Sequence, residues 1–378
     1  MVDDLRLSKA KAVDWDRLIE RLEIDGLTRA GVERIGPCPS CGGCDRFGIN
    51  TRKGVFLCRR CEARGDQVSL VQLVRGVDFP AALDWLVGPE ERLTPAERAA
   101  AEAKAKAARA QSEATARAKR AEAVTQAQRL WAETIPAEGT AVRDYLTLRG
   151  IGPALLPVMP EDLRFDPAAR YVIPARDARR GAFEVLTTGP AMVAAIRDRS
   201  GQVTAVHRTW LDLSRPKGKL SISHPDSGDP LPAKKVVGSK KGGAIRLARG
   251  SRDCDVLVMA EGIETTLTAL AVATIPAAHW CGVDLGNLGG RMARVEGRRW
   301  SGLPDLDDAD AFVPPPWVRR LVFVLDGDSD PGATRAKLMA GLRRAMALVP
   351  GLVGQIVAPG AGVDLNDVLM GDLPEGDQ

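Results

Sequence analysis

Four cysteines near the start of the chain constrain its fold more than any other feature. Cys38 and Cys41 form one C-x2-C pair, Cys58 and Cys61 form a second, and 16 residues separate the two pairs. Four thiolates at this spacing are typical of a closed, tetrahedral, structural zinc site. Disulfides are the alternative, but we find no signal peptide that would send the chain to an oxidising compartment. The sequence therefore predicts one structural Zn²⁺ in an N-terminal zinc ribbon.

The residues around the cysteines predict how the ribbon is built. Residues 46–49 and 54–57 have the composition of two strands joined by a hairpin turn. Residues 65–73 and 76–86 follow the second pair and predict two amphipathic helices. Cys44 does not fit the paired spacing, so we interpret it as incidental. These elements define a first domain over residues 1–90.

Residues 91–135 predict a long helical linker rich in Ala, Glu, Lys and Arg. A capping box with proline at the first helical position starts it at 94–97. From residue 98 to residue 123 there is no Leu, Ile, Val or Met, so the helix has no coiled-coil seam. The basic side chains of this segment alternate with glutamate, which favours a solvated, semi-rigid spacer over a nucleic-acid contact.

Acidic residues follow three short apolar runs in the last third of the chain. The runs cover residues 255–260, 321–325 and 355–357, and each is typical of a buried strand. Ligands of open α/β sheets bind outside the carboxyl ends of the strands, and carboxylates there suit Mg²⁺ or Mn²⁺. The candidate metal ligands are Glu261, Asp326, Asp328, Asp330 and Asp364. An ordinary turn at residues 326–330, or a helix cap at Asp364, is the simpler alternative.

The middle of the chain concentrates positive charge. The whole chain carries only +4, but between residues 208 and 252 there are eleven Lys and Arg against three Asp. Glycine, proline and serine interrupt this segment, which suits loops that follow a phosphate backbone. The candidate nucleic-acid or nucleotide contacts are Lys217, Lys219, Lys234, Lys235, Lys240, Lys241 and Arg246. Ordinary solvated lysines are the alternative interpretation.

These motifs resemble a known domain. Glu261-Gly, then Asp326-Gly-Asp328, then Gly-x-Asp364-x-Asn is similar to the Toprim domain of primases, topoisomerases, some nucleases and RecR recombination proteins. The resemblance implies that Glu261, Asp326 and Asp328 are catalytic and hold the metal ions, with Asp330 and Asp364 as accessories. Tyr145 and Tyr171 are the only tyrosines and both precede this region, which argues against a topoisomerase.

Other parts of the chain resemble bacterial and phage primases. The cysteine block, with Asp45-Arg46-Phe47 after its first pair, is similar to their N-terminal zinc-binding domain. Residues 141–151 and 192–203 resemble the opening helix and a β-hairpin of their catalytic core. The implied fold is multidomain α/β: a zinc ribbon, the helical linker, a mixed α+β primase core over 136–250, and a parallel-sheet Toprim domain over 251–378.

The resemblance implies a cytoplasmic DNA primase of the phage or mobile-element type. Such an enzyme synthesises short RNA primers on single-stranded DNA from ribonucleoside triphosphates, by metal-dependent nucleotidyl transfer. The chain has no G-x-x-x-x-G-K-[ST] motif, so we expect a separate replicative helicase as partner, and no membrane. Two alternatives remain open: a non-catalytic, RecR-like module that binds single-stranded DNA, and a Toprim metal-dependent nuclease. The acidic loop 305–316 is interpreted as a surface insertion.

Overall fold

The computed structural model describes residues 2–88, 95–174, 183–251, 253–295, 298–325, 331–358 and 365–371. These residues form two compact units, Met1–Ala110 and Gln111–Gln378. Both units combine helices with sheets, so the predicted mixed α/β class is confirmed. Within the described ranges, no helix has the length and apolar character that crossing a membrane requires.

The first unit is a five-stranded antiparallel sheet with helices packed on it. Its strands, which pair in sequence order, are β1 (Thr28–Ala30), β2 (Glu33–Cys38), β3 (Gly42–Asn50), β4 (Val55–Cys58) and β5 (Arg64–Gly65). Its helices are α1 (Val2–Lys11), α2 (Trp15–Arg21), α3 (Gln67–Arg75) and α4 (Phe79–Val87). Asp66 and Asp78 start α3 and α4 because each carboxylate accepts a hydrogen bond from a backbone N–H three residues on. The predicted hairpin and both predicted helices are therefore present.

Helix α5 (Pro95–Ala132) is the predicted long helix. Residues 103–122 are exposed throughout, as the absence of large apolar side chains requires. Only near its end does the helix pack, where Ala127 is fully buried against Val193 and Val206. The end of α5 is thus fastened to the second unit by a short apolar contact.

The first sheet of the second unit is antiparallel. Its strands are β6 (Ile135–Pro136), β7 (Leu163–Pro174), β8 (Phe183–Arg197), β9 (Val203–Trp210) and β12 (Lys234–Gly238), in the order β12-β9-β8-β7-β6. Helix α6 (Ala141–Leu148) precedes β7, and β10 (Ile222–Ser223) pairs with β11 (Pro230–Leu231). Tyr145 and Leu146 of α6 are fully buried in the core that Met192 and Ile196 of β8 also enter.

The second sheet has four parallel strands and one antiparallel edge strand. Its elements, in chain order, are β13 (Ile245–Ala248), β14 (Val256–Ala260), α7 (Ile263–Ala271), β15 (Ala278–Cys281), α8 (Leu285–Gly289), β16 (Arg320–Val324), α9 (Pro331–Leu348), β17 (Val353–Val357) and α10 (Leu365–Met370). The strand order is β13-β15-β14-β16-β17, and only β13 runs antiparallel to its neighbour. The three predicted strands are β14, β16 and β17, and their carboxyl ends therefore meet at one edge.

Helices α8 and α9 approach each other at backbone distance. A Cβ atom on Gly289 would lie 2.5 Å from the carbonyl oxygen of Lys337, and one on Gly341 would lie 2.5 Å from that of Leu288. Only glycine fits at these two positions, because any side chain would push the helices apart. The glycines thus fix α9 against α8.

Candidate functional site

The four paired cysteines form one cluster. Cys38 ends β2 and Cys58 ends β4, and the turns that follow these strands carry Cys41 and Cys61. All four sulfur atoms lie within 4.8 Å of one another, with 3.8 Å between those of Cys38 and Cys61 and 3.5 Å between those of Cys41 and Cys58. Tetrahedral thiolates at a Zn–S distance of about 2.3 Å lie roughly 3.8 Å apart, so the cluster is compatible with one zinc ion.

The surroundings of Cys58 favour a metal ligand. Burial would raise the pKa of its thiol, but backbone N–H groups of Cys61 and Arg60 and the neighbouring thiols lower the pKa to about 6. A thiol with a lowered pKa yields the thiolate that zinc binds. Cys44 is exposed and outside the cluster, as expected for an incidental cysteine.

A cavity of about 170 Å³ opens at the carboxyl ends of β14 and β15. Glu261 follows β14 directly, Cys281 ends β15, and the thiol of Cys281 donates to the backbone carbonyl of Glu261 over 3.0 Å. The residues that line the cavity are His207, Lys234, Glu261, Gly262, Ile263, Cys281 and Val283. His207 lies on β9 and Lys234 on β12, so the two five-stranded sheets of the second unit both contribute to one site.

A buried ionic cluster lies beside this cavity, centred on Glu264 in the first turn of α7. The residue is only 4% exposed, and its carboxylate accepts a hydrogen bond from the hydroxyl of Tyr145. The Nζ atom of Lys219 lies 2.8 Å from Oε1, and that of Lys234 lies 3.6 Å from Oε2. We call these four residues, Tyr145, Lys219, Lys234 and Glu264, the Glu264 cluster. It holds two cations and one anion, so the cluster itself carries one net positive charge.

The pKa shifts of the cluster follow from its charges. Burial alone would raise the pKa of Glu264, but the ammonium groups of Lys234 and Lys219 hold it well below its usual range. The Glu264 carboxylate in turn raises the pKa of Lys234, which therefore stays protonated. Burial, followed by the charge of Lys234, lowers the pKa of His207 to about 4, and burial raises that of Cys281 to about 12. His207 and Cys281 are consequently neutral near pH 7.

Val283 forms a strained wall of the cavity. Its φ is +75°, in the left-handed region that β-branched residues rarely adopt, at a cost of roughly 1–3 kcal/mol. Next to it, a Cβ atom on Gly282 would collide with the side chain of Leu288, and the N–H of Gly282 donates to the carbonyl of Ala260 over 2.8 Å. The turn from β15 to α8 is thereby held tightly against the end of β14.

Of the predicted metal ligands, only Glu261 lies in the part of the chain that the structure describes, and it lines the cavity. Asp326, Asp328, Asp330 and Asp364 lie outside the described residues. Among those described, the four-cysteine group is the one set of His, Cys, Asp or Glu residues close enough to share an ion. Ligation of Mg²⁺ or Mn²⁺ stays a prediction.

The predicted basic contacts separate into different environments. Lys219 and Lys234 belong to the Glu264 cluster, whereas Lys235 donates to the carbonyl of Val172 and lies 3.8 Å above the ring of Tyr171. The remaining residues have these partners: Lys217 with Asp367 at 3.6 Å, Lys240 with Asp284, Lys241 with Asp310, and Arg246 with the carbonyl of Asp198 and the ring of Trp280. Their contacts with nucleic acid stay predictions, but only Lys234 reaches the cavity of Glu261.

Sequence reasoning missed Glu264, His207 and Tyr145 as parts of the site. Glu264 is the one charged residue of α7, whose other residues are Ile, Leu, Ala and Thr, and this is the one local signal that it has a buried partner. An acidic residue in the first turn of a helix is, however, also explained by the helix dipole. The partners of Glu264 are far away in sequence, so the pattern of α7 alone does not reveal them.

Comparisons with known proteins give the following similarities. A family model described as a domain of unknown function (DUF7146) matches residues 121–247. The crystal structure of the Aquifex aeolicus primase, with its zinc-binding and RNA polymerase domains, aligns over 98% of this chain and 82% of that one, at 15% identity and a TM-score of 0.38. The primase fragment of the bacteriophage T7 primase-helicase protein aligns over 89% and 94%, at 13% identity and a TM-score of 0.32.

A third structure, a DnaG primase catalytic domain bound to single-stranded DNA, aligns over 68% of this chain and 80% of that one, at 13% identity and a TM-score of 0.37. The structural neighbours are thus bacterial and phage DNA primases. All three TM-scores lie below 0.5, so we argue function from the residues of this chain.

Proposed function

We propose that the protein is a DNA primase that synthesises RNA primers on single-stranded DNA. The observation that carries the proposal is the cavity at the strand ends, where the carboxylate of Glu261 and the ammonium of Lys234 line one small space. Metal-dependent nucleotidyl transfer needs carboxylates for the metal ions and cations for the phosphates of the incoming nucleotide. The Toprim-like motif that begins at Glu261 supports the same conclusion.

Each group has a distinct role in this proposal. Lys234 binds a phosphate of the nucleoside triphosphate, and Glu264 fixes its position and keeps it protonated. Glu261, Asp326 and Asp328 hold Mg²⁺ or Mn²⁺, with Asp330 and Asp364 in support. The bound ion would stabilise the charge that develops on the attacking and leaving oxygens. Glu264 is not a ligand, because Lys219, Lys234 and Tyr145 occupy its oxygens.

The ribbon completes the proposal. Zn²⁺ bound by Cys38, Cys41, Cys58 and Cys61 holds the first unit in a shape that engages the single-stranded template. We propose that the enzyme is cytoplasmic, takes ribonucleoside triphosphates as substrates, works with a separate helicase, and belongs to the phage or mobile-element type.

Primer synthesis on a denaturing gel tests the proposal. The protein is incubated with mixed-sequence single-stranded DNA, labelled ribonucleotides and Mg²⁺ or Mn²⁺, and short template-dependent products are expected. Glu261→Gln and Lys234→Met should each reduce synthesis at least tenfold, and Asp326→Ala or Asp328→Ala should abolish it. Lys104→Met, a change on the exposed face of α5, is the control and should leave synthesis intact.

Zinc content and the unfolding temperature show that each variant is folded. Full synthesis by Glu261→Gln or Asp326→Ala would contradict the assigned site. DNA degradation without nucleotides would indicate a nuclease instead, and DNA binding without synthesis by the parent protein would indicate a binding module.

A further inference from the structure

The segment between α8 and β16 forms a basic groove on the second unit. It folds back on itself, with antiparallel bridges from Met292 to Pro304 and from Val295 to Arg298. The groove has a volume of about 630 Å³, and its polar lining consists of Arg291, Arg294, Arg298, Arg299, Ser301 and Lys337. We call it the arginine groove. Five of these side chains are cationic, and none of them was among the basic residues predicted from the sequence.

Most of these cations have no acidic partner among the described residues. Arg291 pairs with Asp305 at 3.2 Å. Among the residues that the structure describes, no carboxylate oxygen lies within 4.0 Å of the charged nitrogens of Arg294, Arg298, Arg299 or Lys337. Like charges in one groove repel one another, and a bound anion would remove that cost.

The acidic residues next to the groove do not neutralise it, because they already have partners. The carboxylate of Asp308 lies 3.9 Å from the buried guanidinium of Arg344, and Asp310 is paired with both Lys241 and Arg120. A neighbouring cavity that contains these aspartates shares Arg291 and Lys337 with the groove. The acidic loop therefore bounds the groove on one side without cancelling its charge.

The groove is built on a rigid base. Arg344 of α9 is completely buried, and its guanidinium donates to the backbone carbonyls of Arg291, Asp305 and Asp308, over 3.4, 2.7 and 3.1 Å. One side chain thus fastens Arg291, Asp305 and Asp308 of this segment to α9. The glycine contact between α8 and α9 fixes α9 in turn.

Helix α9 contributes one side of the groove through Lys337. Helix α9 begins at Pro331, shortly after the carboxyl end of β16, and Lys337 lies six residues further on. At about 1.5 Å per helical residue, that is roughly 9 Å along the helix. Lys337, on one side of the groove, therefore lies one to two helical turns from the first residue of α9.

We propose that the arginine groove binds the phosphodiester backbone of a single-stranded nucleic acid. The inference rests on the proposed function and adds a path for the single-stranded template on the same unit as the candidate site. Guanidinium groups bind phosphate in a bidentate manner, and several unpaired ones in a row match a chain of phosphates. Trp300, with Arg299 4.8 Å above its ring, offers an aromatic surface beside the cations. Such a surface favours unpaired bases, whose faces are free to stack.

A charge-neutralised variant tests the groove directly. Arg294→Gln, Arg298→Gln and Lys337→Met are combined, since these changes keep the aliphatic stems and remove three charges. The matched control combines Lys104→Met, Arg199→Gln and Arg320→Gln, three exposed residues with no side-chain hydrogen bond or ion pair to any described residue. Fluorescence anisotropy with a labelled oligothymidylate gives the dissociation constant at several salt concentrations, for the full zinc-loaded chain.

The groove variant should bind at least tenfold more weakly at low salt. The slope of log K against log[salt] should become shallower by about 2, because each phosphate contact of a single strand contributes roughly 0.7. The control should keep the parent's affinity and slope. Oligonucleotides that carry photoreactive 5-iodouracil should also crosslink to the peptide that contains Trp300. Unchanged affinity and slope in the groove variant would overturn the proposal and point to an acidic protein as the partner.

The test separates this inference from the primase proposal, because binding is measured on the Glu261→Gln background without nucleotides. Binding that depends on the groove, in a parent protein that makes no primers, would overturn the proposed function and leave the groove intact. Primer synthesis with no dependence on the groove would overturn only the groove.

Discussion

Glu264 and Asp310 are two carboxylates that each hold two cations, in opposite environments. Glu264 pairs with Lys219 and Lys234 and is almost completely buried. Asp310 pairs with Lys241 and Arg120, and its side chain is 44% exposed. When one member of a buried ion pair is removed, the remaining charge is left where water cannot reach it. When one member of an exposed pair is removed, water solvates the remaining charge. The Glu264 cluster should therefore matter for stability and the Asp310 pairs should not.

The lysines of the basic segment 208–252 do not form one surface. Lys234 and Lys241 lie seven residues apart in sequence, yet one reaches the cavity of Glu261 and the other pairs with the acidic loop. The density of lysines in the sequence therefore does not say which of them can meet a phosphate. The residues that each lysine contacts from distant parts of the sequence decide whether it is available to a phosphate.

The largest expected effect comes from Glu264→Gln. The change leaves Lys219 and Lys234 without their anion, so the free energy of unfolding of the second unit should fall by about 3–5 kcal/mol. Urea unfolding measures this free energy. The unfolding transition that persists after zinc is removed with a chelator is assigned to the second unit. Glu161→Gln removes an exposed glutamate that pairs with Arg249 and should change stability by less than about 0.5 kcal/mol. Equal losses of stability in Glu264→Gln and Glu161→Gln would show that burial does not set the size of the effect.

The next effect depends on pH and comes from His207 beside the same cluster. Its folded-state pKa of about 4 lies below the usual 6.5, so the unfolded chain binds the proton more tightly. The stabilising contribution of neutral His207 to the free energy of unfolding is fully present above pH 6.5. It is lost as the pH falls towards 4, and the loss amounts to at most roughly 3 kcal/mol. Lys234 and Lys219 disfavour protonation and Glu264 favours it.

His207→Gln should make the free energy of unfolding less sensitive to pH between 7 and 4.5. His224→Gln is the control and should follow the parent. If all three proteins lose stability in parallel as the pH falls, His207 does not carry this dependence.

A smaller effect is expected at the exposed carboxylate. Asp310→Asn should change the free energy of unfolding by less than about 1 kcal/mol, because its pairs are exposed to solvent. It should also release Lys241 and Arg120, and so strengthen the binding of single-stranded DNA by a few-fold at low salt. Urea unfolding measures the change in stability, and fluorescence anisotropy measures the binding of DNA. If Asp310→Asn lost as much stability as Glu264→Gln, solvent exposure would not explain the difference between the two carboxylates.

The smallest effect should follow from Lys240→Met combined with Lys241→Met. Both lysines already have acidic partners, so the salt dependence of DNA binding should stay close to that of the parent. A slope that becomes shallower by about 1.4 would instead show that these lysines contact phosphate, as the sequence predicts.

What the sequence predicted well is local. The four-cysteine cluster was predictable because its members lie within 24 residues and their spacing is typical of a tetrahedral zinc site. The strands before Glu261 and Asp326 were predictable because buried parallel strands consist of short, continuous apolar runs.

What it could not predict depends on tertiary contacts. Tyr145 lies 119 residues from Glu264, and Arg120 lies 190 residues from Asp310, so no local pattern joins them. The arginines of the groove are visible in the sequence, but only the packing of α9 brings Lys337 to them. The unusual backbone of Val283 has no sequence signal either, since valine is a poor choice for that conformation.

Val283 has a consequence for the selectivity of the cavity beside Glu261. A wall made of flexible side chains adapts to the molecule that enters, whereas this wall is a backbone turn held in a costly conformation by its neighbours. A glycine there would adopt the same φ without strain and would also sample other conformations. We therefore expect the cavity to keep one shape, and to discriminate between molecules by size as well as by charge.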